Sequence, residues 1–569
     1  MSKHVIVIGA VALGPKAACR YKRLVPDAKV TMIDQAPRIS YGGCGIPYFV
    51  SGEVNTVVDL QSTPYHIVRD AAFFKTNKDV DVLINTRATK IDRDAKTVTV
   101  EKVQTGETEV LSYDELVIAT GSKPNMPPFE GINLQGITAA TNLEEAEVIK
   151  NAVAEGKVGS AVVVGAGFIG LEMAVAFADM WGIDTTVVEL QDQVLPGFMP
   201  KSMAKMAQAD LENNDVKVLL EESVVRFEGE NGKVTKVVTN KREIAADLVV
   251  LAVGVSPNTD IAKDAGIECD ERGALIVNER FQTSDPAIYS GGDCVTIPNL
   301  VTGKRGYYPL GSMANRQGRI IGTNLAGGNA TMSGAIGSWV VKLFDQSCSG
   351  AGLTLEQALA NGFDAISVHV EQMDRAHFFP EKALMSLQIV VDRPSRRILG
   401  MQGMNEFGDA LTARINAVVP LISSHATIDD VSNLEVVYSP PFSSAMDIVN
   451  AVANVADNVL AGLNKYMSPD EFEGCWAERD CGEYYFIDTR LAGGAKDMCE
   501  AHPEHWHNIP NEEIRERISE IPKDKQVIMI CNTGLRSYEA MLLACELGIE
   551  NIKASSGGMA AQKKLAANL

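Results

Sequence analysis

Near the N-terminus a β-branched apolar run, Val5 to Ile8, enters Gly9-Ala10-Val11-Ala12-Leu13-Gly14. A helix-like stretch to Leu24 follows, then a second apolar run, Lys29 to Ile33, that ends at Asp34. Short continuous apolar runs predict strands buried on both faces, and the order predicts a strand-helix-strand unit. The same order returns at Val162 to Val164, Gly165-Ala166-Gly167-Phe168-Ile169-Gly170, a helix through Ala178, and a strand from Thr185 to Val188 that ends at Glu189. The first glycines of the two copies stand 156 positions apart and the acidic residues 155, so the chain carries an internal repeat. Three more buried-strand runs end in small residues: Leu116 to Ala119-Thr120-Gly121, Leu248 to Gly254, and Ile288 to Gly291-Gly292-Asp293.

The second copy is a complete G-x-G-x-x-G between a strand and a helix. That context lets backbone amides and a helix N-terminus approach a pyrophosphate. Gly165, Gly167, Phe168, Ile169 and Gly170 form the turn, Glu189 can accept from the ribose hydroxyls, and Gly254 closes the partner strand. Leu190, Gln191 and Asp192 offer no cation for a 2′-phosphate, so NADH is expected over NADPH. The first copy lacks the middle glycine and is degenerate alone.

Between the two copies lies Ser40-Tyr41-Gly42-Gly43-Cys44-Gly45-Ile46-Pro47-Tyr48. A dithiol reductase would carry a second cysteine five positions on, where this chain has Phe49. A lone thiolate can hold a substrate as a mixed disulfide or cycle through sulfenic acid, but it cannot close a local disulfide. The bland alternative for Cys44 is a small buried hydrophobe.

Composition narrows the class. A chain of 569 residues with 46% hydrophobic content predicts three or four domains. The net charge of -21 argues against nucleic acid or an anionic membrane as partner. Ten irregularly spaced cysteines agree with a reducing cytoplasm. The apolar run Val5 to Val11 is followed by Lys16 and Arg20 with no plausible cleavage site, and the run Ala161 to Ala178 contains Glu172. A soluble cytoplasmic protein is expected.

Taken together, residues 1 to about 455 resemble the single-cysteine branch of the pyridine nucleotide-disulfide oxidoreductases: coenzyme A-disulfide reductases, NADH oxidases and peroxidases, and persulfide reductases. The resemblance implies an α/β fold with two Rossmann-like domains, one for FAD and one for NAD, and an α+β dimerisation domain. The FAD domain is expected from 1–112 and 251–330, the NAD domain with connecting segments from 113–250, and the dimerisation domain from 331–455. FAD would be held by Gly9, Ala10, Val11, Ala12, Gly14, Asp34, Ala119, Thr120, Gly121, Gly292 and Asp293, the last on the ribityl chain. Tyr438, in Tyr438-Ser439-Pro440-Pro441-Phe442, corresponds to a tyrosine that reaches the active-site cysteine of the other subunit; its alternative is a packed aromatic beside a proline turn. Arg20, Lys22 and Arg23, with Ser40, match the family's site for coenzyme A phosphates, against the alternative of solvated helix charges. The chain departs from the pattern at Leu13, expected to crowd the flavin pyrophosphate, and at Gly43, Phe378-Phe379-Pro380 and Met446.

Past a linker expected at 456–469, residues 470–569 resemble an α/β rhodanese domain. The resemblance rests on Phe486-Ile487-Asp488-Thr489-Arg490, Asn508-Ile509-Pro510, Ser556-Gly557-Gly558 and the loop Cys531-Asn532-Thr533-Gly534-Leu535-Arg536-Ser537. A cysteine before a short turn and an Arg-Ser at a helix start is placed to have its thiolate stabilised by amides, guanidinium and helix dipole. Such a cysteine can carry a persulfide. Cys475, Cys481, Cys499, His502, His505 and His507 fit no familiar zinc spacing, and no metal is expected.

The leading reading is an NADH-dependent reductase of persulfide, polysulfide or coenzyme A disulfide, working as a homodimer through Cys44 and flavin, with Cys531 handling sulfane sulfur. An NADH oxidase or peroxidase that cycles Cys44 through sulfenic acid is the second. A redox or sulfide sensor is the third, disfavoured because the chain shows no DNA-binding module.

Overall fold

The two apolar repeats each build a parallel sheet, because strands buried on both faces need helices above and below them. A computed structural model describes residues 3–565. Its contacts divide the chain into two units: one runs to Leu190 and resumes from Glu221 to Ala335, and the other comprises Gln191–Leu220 and the chain from Ile336 onwards.

In the first unit, five parallel strands take the order Ile288–Ser290, Glu115–Ile118, His4–Ile8, Lys29–Ile33, Asp81–Leu83. Ile8 pairs with Ile33 on one side and Ile118 on the other. The helix Leu13–Leu24 leaves the tip of the central strand, and Gly318 and Gly322 let the helix Gly311–Leu325 approach it. A Cβ on Gly322 would sit 2.5 Å from the Ala17 carbonyl oxygen. The second sheet repeats the pattern: Ser160–Val164 lies between Asp184–Val188 and Leu248–Leu251, with Val164 opposite Val188 and Leu251, and Ile137–Thr138 extends the sheet. The helix Phe168–Trp181 follows its central strand.

The second unit carries an antiparallel sheet, Trp339–Lys342, Ser347–Gly352, Ile398–Asn405, Leu384–Asp392, Ala365–Met373, packed by the helices Gly408–Ser423 and Ile448–Leu460. The C-terminal part adds a parallel sheet in the order Tyr466–Met467, Ile552–Ser555, Gln526–Ile530, Tyr484–Asp488, Trp506–Asn508. Among the described residues no helix is long and apolar enough to cross a membrane.

Three expectations about segments change. The strand Glu115–Ile118 pairs with His4–Ile8, so the chain leaves the first sheet after Ile118 and not at 113. The strand Leu248–Leu251 belongs to the second sheet through Leu251, one residue beyond the expected 250. The linker expected at 456–469 is partly structured: the helix Ile448–Leu460 covers its first five residues, Tyr466–Met467 pairs with Ile552–Ser555, and the helix Pro469–Ala477 begins at its end, while 461–465 form turn and coil.

Candidate active site

Both glycine turns are built alike. Gly9 and Gly165 take φ of +105° and +102°, and their amides donate to Ile33 O and Val188 O at 2.8 Å. A Cβ on Gly9 would lie 2.0 Å from Ala119 O, and one on Gly165 would lie 2.5 Å from Ala252 O, so each turn grazes the neighbouring strand end. Gly14 and Gly170 seat the following helix on the turn; their Cβ atoms would stand 1.9 and 2.0 Å from the Gly9 and Gly165 carbonyl oxygens. The Gly167 Cβ, by contrast, would meet nothing within 4 Å, which leaves the open side of the second turn free for a phosphate group.

The acidic residues close both turns. Asp34 Oδ2 accepts from Ala10 N at 2.8 Å and Oδ1 from Ala36 N at 2.9 Å; burial pushes its carboxyl up, against the pull of those two amides. Glu189 Oε2 accepts from Ala166 N at 2.7 Å. Asp293 accepts from Ser122 Oγ at 2.8 Å, its backbone carbonyl accepts from Tyr307 Oη at 3.0 Å, and burial raises its pKa. Thr120 Oγ1 donates to Asn258 O and Gly121 N to Cys294 Sγ at 3.1 Å, which knits the strand ends together. Gly254 has φ of +86°, and its carbonyl accepts from Asn125 N. Val11 and Ala12 are half-buried, as is Phe168, while Ile169 is exposed. Leu13, expected to crowd the flavin pyrophosphate, is buried with its Cδ1 2.6 Å from where a Gly291 Cβ would be, so it fills the space that two glycines leave open.

Cys44 lies in a single 3-10 turn, Gly43–Gly45, that leads into the helix Ile46–Ser51. It is exposed, yet protein packed around its sulfur disfavours the thiolate. That desolvation, then the carboxylates of Glu172 and Asp293, raises the thiol above its ordinary value. Gly311, at the start of its helix, is within 3.7 Å of Cys44 Sγ measured from its missing Cβ. Tyr48, one turn beyond Cys44, donates to Glu172 Oε1 at 3.4 Å. Burial lifts Glu172 to about 7 and Tyr48 to about 12. Phe49, in the place of a second thiol, is buried. All ten cysteines are free.

Ser40 is buried beside the same loop with φ of +52°, and its amide donates to Ala10 O at 2.8 Å. Of the basic cluster, Arg20 reaches Thr323 Oγ1 at 3.0 Å and Arg23 is exposed. Lys22 points elsewhere: it bonds Ala28 O at 2.6 Å and pairs with Asp79 at 2.7 Å. Two positions on a helix differ by about 200° of rotation, which separates Lys22 from Arg20, whereas Lys16 and Arg23 share the Arg20 face. Arg316 and Arg319, exposed on the packed neighbouring helix, extend the basic surface.

In the C-terminal sheet, Cys531 ends the strand Gln526–Ile530 and is 2% exposed. Gly534, with φ of +106°, donates its amide to Cys531 Sγ at 3.2 Å, and the helix Leu535–Glu546 starts immediately after. Thr533 is half-buried, while Asn532, Leu535 and Arg536 are exposed. Ser537 Oγ donates to Gly534 O at 2.9 Å. Asp488 and Arg490 form a buried ion pair at 2.6 Å, which Trp506 Nε1 completes at 3.0 Å from Asp488. The histidines nearby turn three ways: His505 pairs with Asp480 at 3.0 Å, His502 packs edge-on to Trp476, and His507 stacks on Tyr485. Among the described residues no group of three or more His, Cys, Asp or Glu side chains could hold a metal ion. In the segment between the helices Ile428–Ser432 and Ile448–Leu460, Tyr438 is 51% exposed, near Val437 at 89% and Phe442 at 71%.

The family model described as pyridine nucleotide-disulphide oxidoreductase matches residues 3–318, more than half the chain. This chain belongs to that family. The dimerisation domain of these oxidoreductases matches residues 338–449, and a rhodanese-like domain matches 473–564. Among structures, this oxidoreductase resembles an NAD-dependent persulfide reductase from A. fulgidus at 39% identity and TM-score 0.92, over 98% of this chain and 99% of that one. It also resembles the reduced Bacillus anthracis CoADR-RHD at 30% identity and TM-score 0.90, over 99% and 98%. Among curated relatives, an NAD(P)H coenzyme A polysulfide/persulfide reductase of Pyrococcus horikoshii is 32% identical over 80% of this chain and 98% of its own.

Within the oxidoreductase, the structure brings Cys44 together with Glu172, Tyr48, Asp293 and Gly311. Of these, the sequence alone marks Cys44 and Asp293 as carrying chemistry. In sequence Glu172 is a charge interrupting an apolar run, although its offset of two residues from Gly170 fixes which side of the helix carries it. Tyr438 and Cys531 both lie in the second unit.

Proposed function

We propose that this oxidoreductase is an FAD-dependent NADH:persulfide or polysulfide reductase, with coenzyme A disulfide as a related substrate, and that its C-terminal domain carries sulfane sulfur on Cys531. The observation that carries the reading is the union in one chain of a lone thiol at Cys44 and a rhodanese-like loop whose amide faces Cys531 Sγ. The two grazing turns, with Asp34 and Glu189 closing them and open space at Gly167, fit two dinucleotides: FAD on the first and NADH on the second. Bound FAD supplies an electron pair taken as hydride from NADH, which separates two-electron chemistry from thiol exchange.

The chain's own residues do the sulfur chemistry. Cys44 thiolate attacks a persulfide or disulfide; the S–S bond breaks, hydrosulfide or a thiol departs with a proton, and the remaining sulfur group stays on Cys44 as a mixed disulfide or persulfide. Two electrons and a proton then restore Cys44 and free the second sulfur product. Glu172, held near 7 by burial, is matched to accept and return a proton beside Cys44 at neutral pH. Tyr438 of a second copy donates a proton to the leaving sulfur in the homodimer suggested by the dimerisation match. Lys16, Arg20, Arg23, Arg316 and Arg319 offer a basic surface for coenzyme A phosphates in an otherwise acidic chain.

Anaerobic steady-state assays with NADH against coenzyme A persulfide, polysulfide, coenzyme A disulfide and peroxide test this reading. Turnover per active site is expected to be highest with a sulfane-sulfur substrate. Relatives named NADH oxidase, one from Enterococcus faecalis at 32% identity, support the second reading. NADH consumption that follows dissolved oxygen or peroxide, and ignores added sulfur, would select it.

A further inference from the structure

The loop that carries Cys531 is backed by a second loop, and that loop is backed by the dimerisation sheet. Gly558, with φ of +50°, passes so close that a Cβ would lie 2.3 Å from Cys531 O and 2.8 Å from the Asn532 carbonyl carbon. Met559 N donates to Cys531 O at 2.8 Å and Ala560 N to Asn532 O at 2.9 Å. On its other side, Gly557 would bring a Cβ within 3.1 Å of His369 Cδ2 and 3.2 Å of Glu371 Cγ. Ser556 Oγ donates to His369 O. Two glycines are therefore the whole thickness between the strand Ala365–Met373 and the Cys531 backbone, and neither tolerates a side chain.

The outer layer is fixed by buried polar groups. His369 and Glu371 have fully buried side chains and bond each other at 3.0 Å. Lys564, from the last helix, reaches Glu371 Oε2 at 2.8 Å, Ser386 Oγ at 2.9 Å and Leu384 O at 3.0 Å, and Ser386 Oγ donates to Glu371 Oε1. Tyr466 Oη accepts from His369 N at 3.0 Å. Glu371 is fully buried while Lys564 is 24% exposed, so an arrangement that lost Lys564 would leave a carboxylate unpaired in a dry interior. The following residues of the same strand hold the Tyr438 segment: Gln372 Nε2 donates to Met446 O at 2.8 Å, and Ala376 N, just beyond the strand, to Pro440 O at 3.4 Å.

We propose that the strand Ala365–Met373 is a shared strut: His369 and Glu371, locked by Lys564, are positioning residues for the Cys531 loop, while the end of the strand positions the Tyr438 segment. The inference rests on the reading of Cys531 as a sulfur carrier. The C-terminal domain then works as a fixed extension of the dimerisation sheet, and the loop that places the Gly534 amide on Cys531 Sγ is braced through Ser556 and Gly557 from outside the domain's own fold.

The test uses the full flavin-loaded chain, with thiosulfate as sulfur donor and cyanide as acceptor. Glu371→Gln and Lys564→Met are expected to lower kcat by about tenfold or more with KM for thiosulfate little changed, since sub-ångström misplacement acts on the reacting geometry. Lys564→Arg should retain most of the activity, and alkylation of Cys531 by iodoacetamide should be faster in the two disrupted variants. Parental kcat and alkylation rate in Glu371→Gln and Lys564→Met, with circular dichroism and flavin content intact, would overturn the strut. Should those two fail to fold, Ser556→Ala decides, because it deletes one hydroxyl; unchanged kcat and alkylation there also overturns it. Sulfurtransferase activity surviving Cys531→Ser would instead strike the carrier reading itself.

Discussion

Replacing Gly170 and Gly167 separately by alanine distinguishes a glycine needed by the fold from one needed by the ligand. In Gly170→Ala the new Cβ would stand 2.0 Å from Gly165 O and 3.3 Å from Ala252 Cβ, and the first obstacle is backbone. The helix Phe168–Trp181 must lift off the turn by at least about 1 Å, an overpacking that costs about 1–3 kcal/mol. For a unit of this size the apparent Tm should fall by roughly 2–5 °C, with or without NADH. Gly167→Ala meets nothing within 4 Å, and Gly167 has φ of -79°, which alanine adopts freely. Its loss as an N-cap costs about 0.5 kcal/mol, and the stiffer unfolded chain returns about 0.4–1 kcal/mol, so stability should stay near parental. The cost should appear only when the pyrophosphate arrives: KM for NADH rises about tenfold or more, about 1.4 kcal/mol. Differential scanning fluorimetry with and without NADH, beside steady-state kinetics, reads both effects. Equal losses of Tm in the two variants, or an unchanged Tm in Gly170→Ala, would refute the reasoning.

Cys44→Ser should abolish NADH-dependent reduction of free persulfide, while Cys531→Ser should abolish thiosulfate sulfurtransferase activity alone; loss of both activities in Cys531→Ser would refute separate roles. Glu172→Gln removes a carboxylate that disfavours the Cys44 thiolate, so the Cys44 pKa should fall and the pH profile of its alkylation should move to lower pH. The shift should be largest above about 7, where Glu172 is ionised, and a profile that stays put or moves upward would contradict the assignment. Arg20→Ala and Arg23→Ala should raise KM for coenzyme A-linked substrates several-fold, whereas Lys22→Ala should leave it near parental because Lys22 is engaged with Asp79 and Ala28. Equal KM changes at all three positions would refute the orientation.

The chain's amino acids alone dictated whatever is decided within a few neighbouring residues. Gly9 and Gly165, each placed after an apolar run and before a helix, and Gly170 in the first turn of its helix mark both turns because only glycine permits such close backbone approach, and Asp34 and Glu189 follow from the same local order. The absence of a thiol at Phe49 and the Cys531 loop are equally local. Lys22 sits between these cases: helical rotation separates it from Arg20, but only the fold shows Asp79 waiting for it. What tertiary structure decided is which distant residues share a small volume. Glu172 beside Cys44, Leu13 beneath Gly291, and His369 and Glu371 against Gly557 are meetings across large sequence separations. No periodicity encodes them, since they arise from how finished sheets and helices stack, and that stacking sets the burial that moves a carboxyl such as Glu172 to about 7.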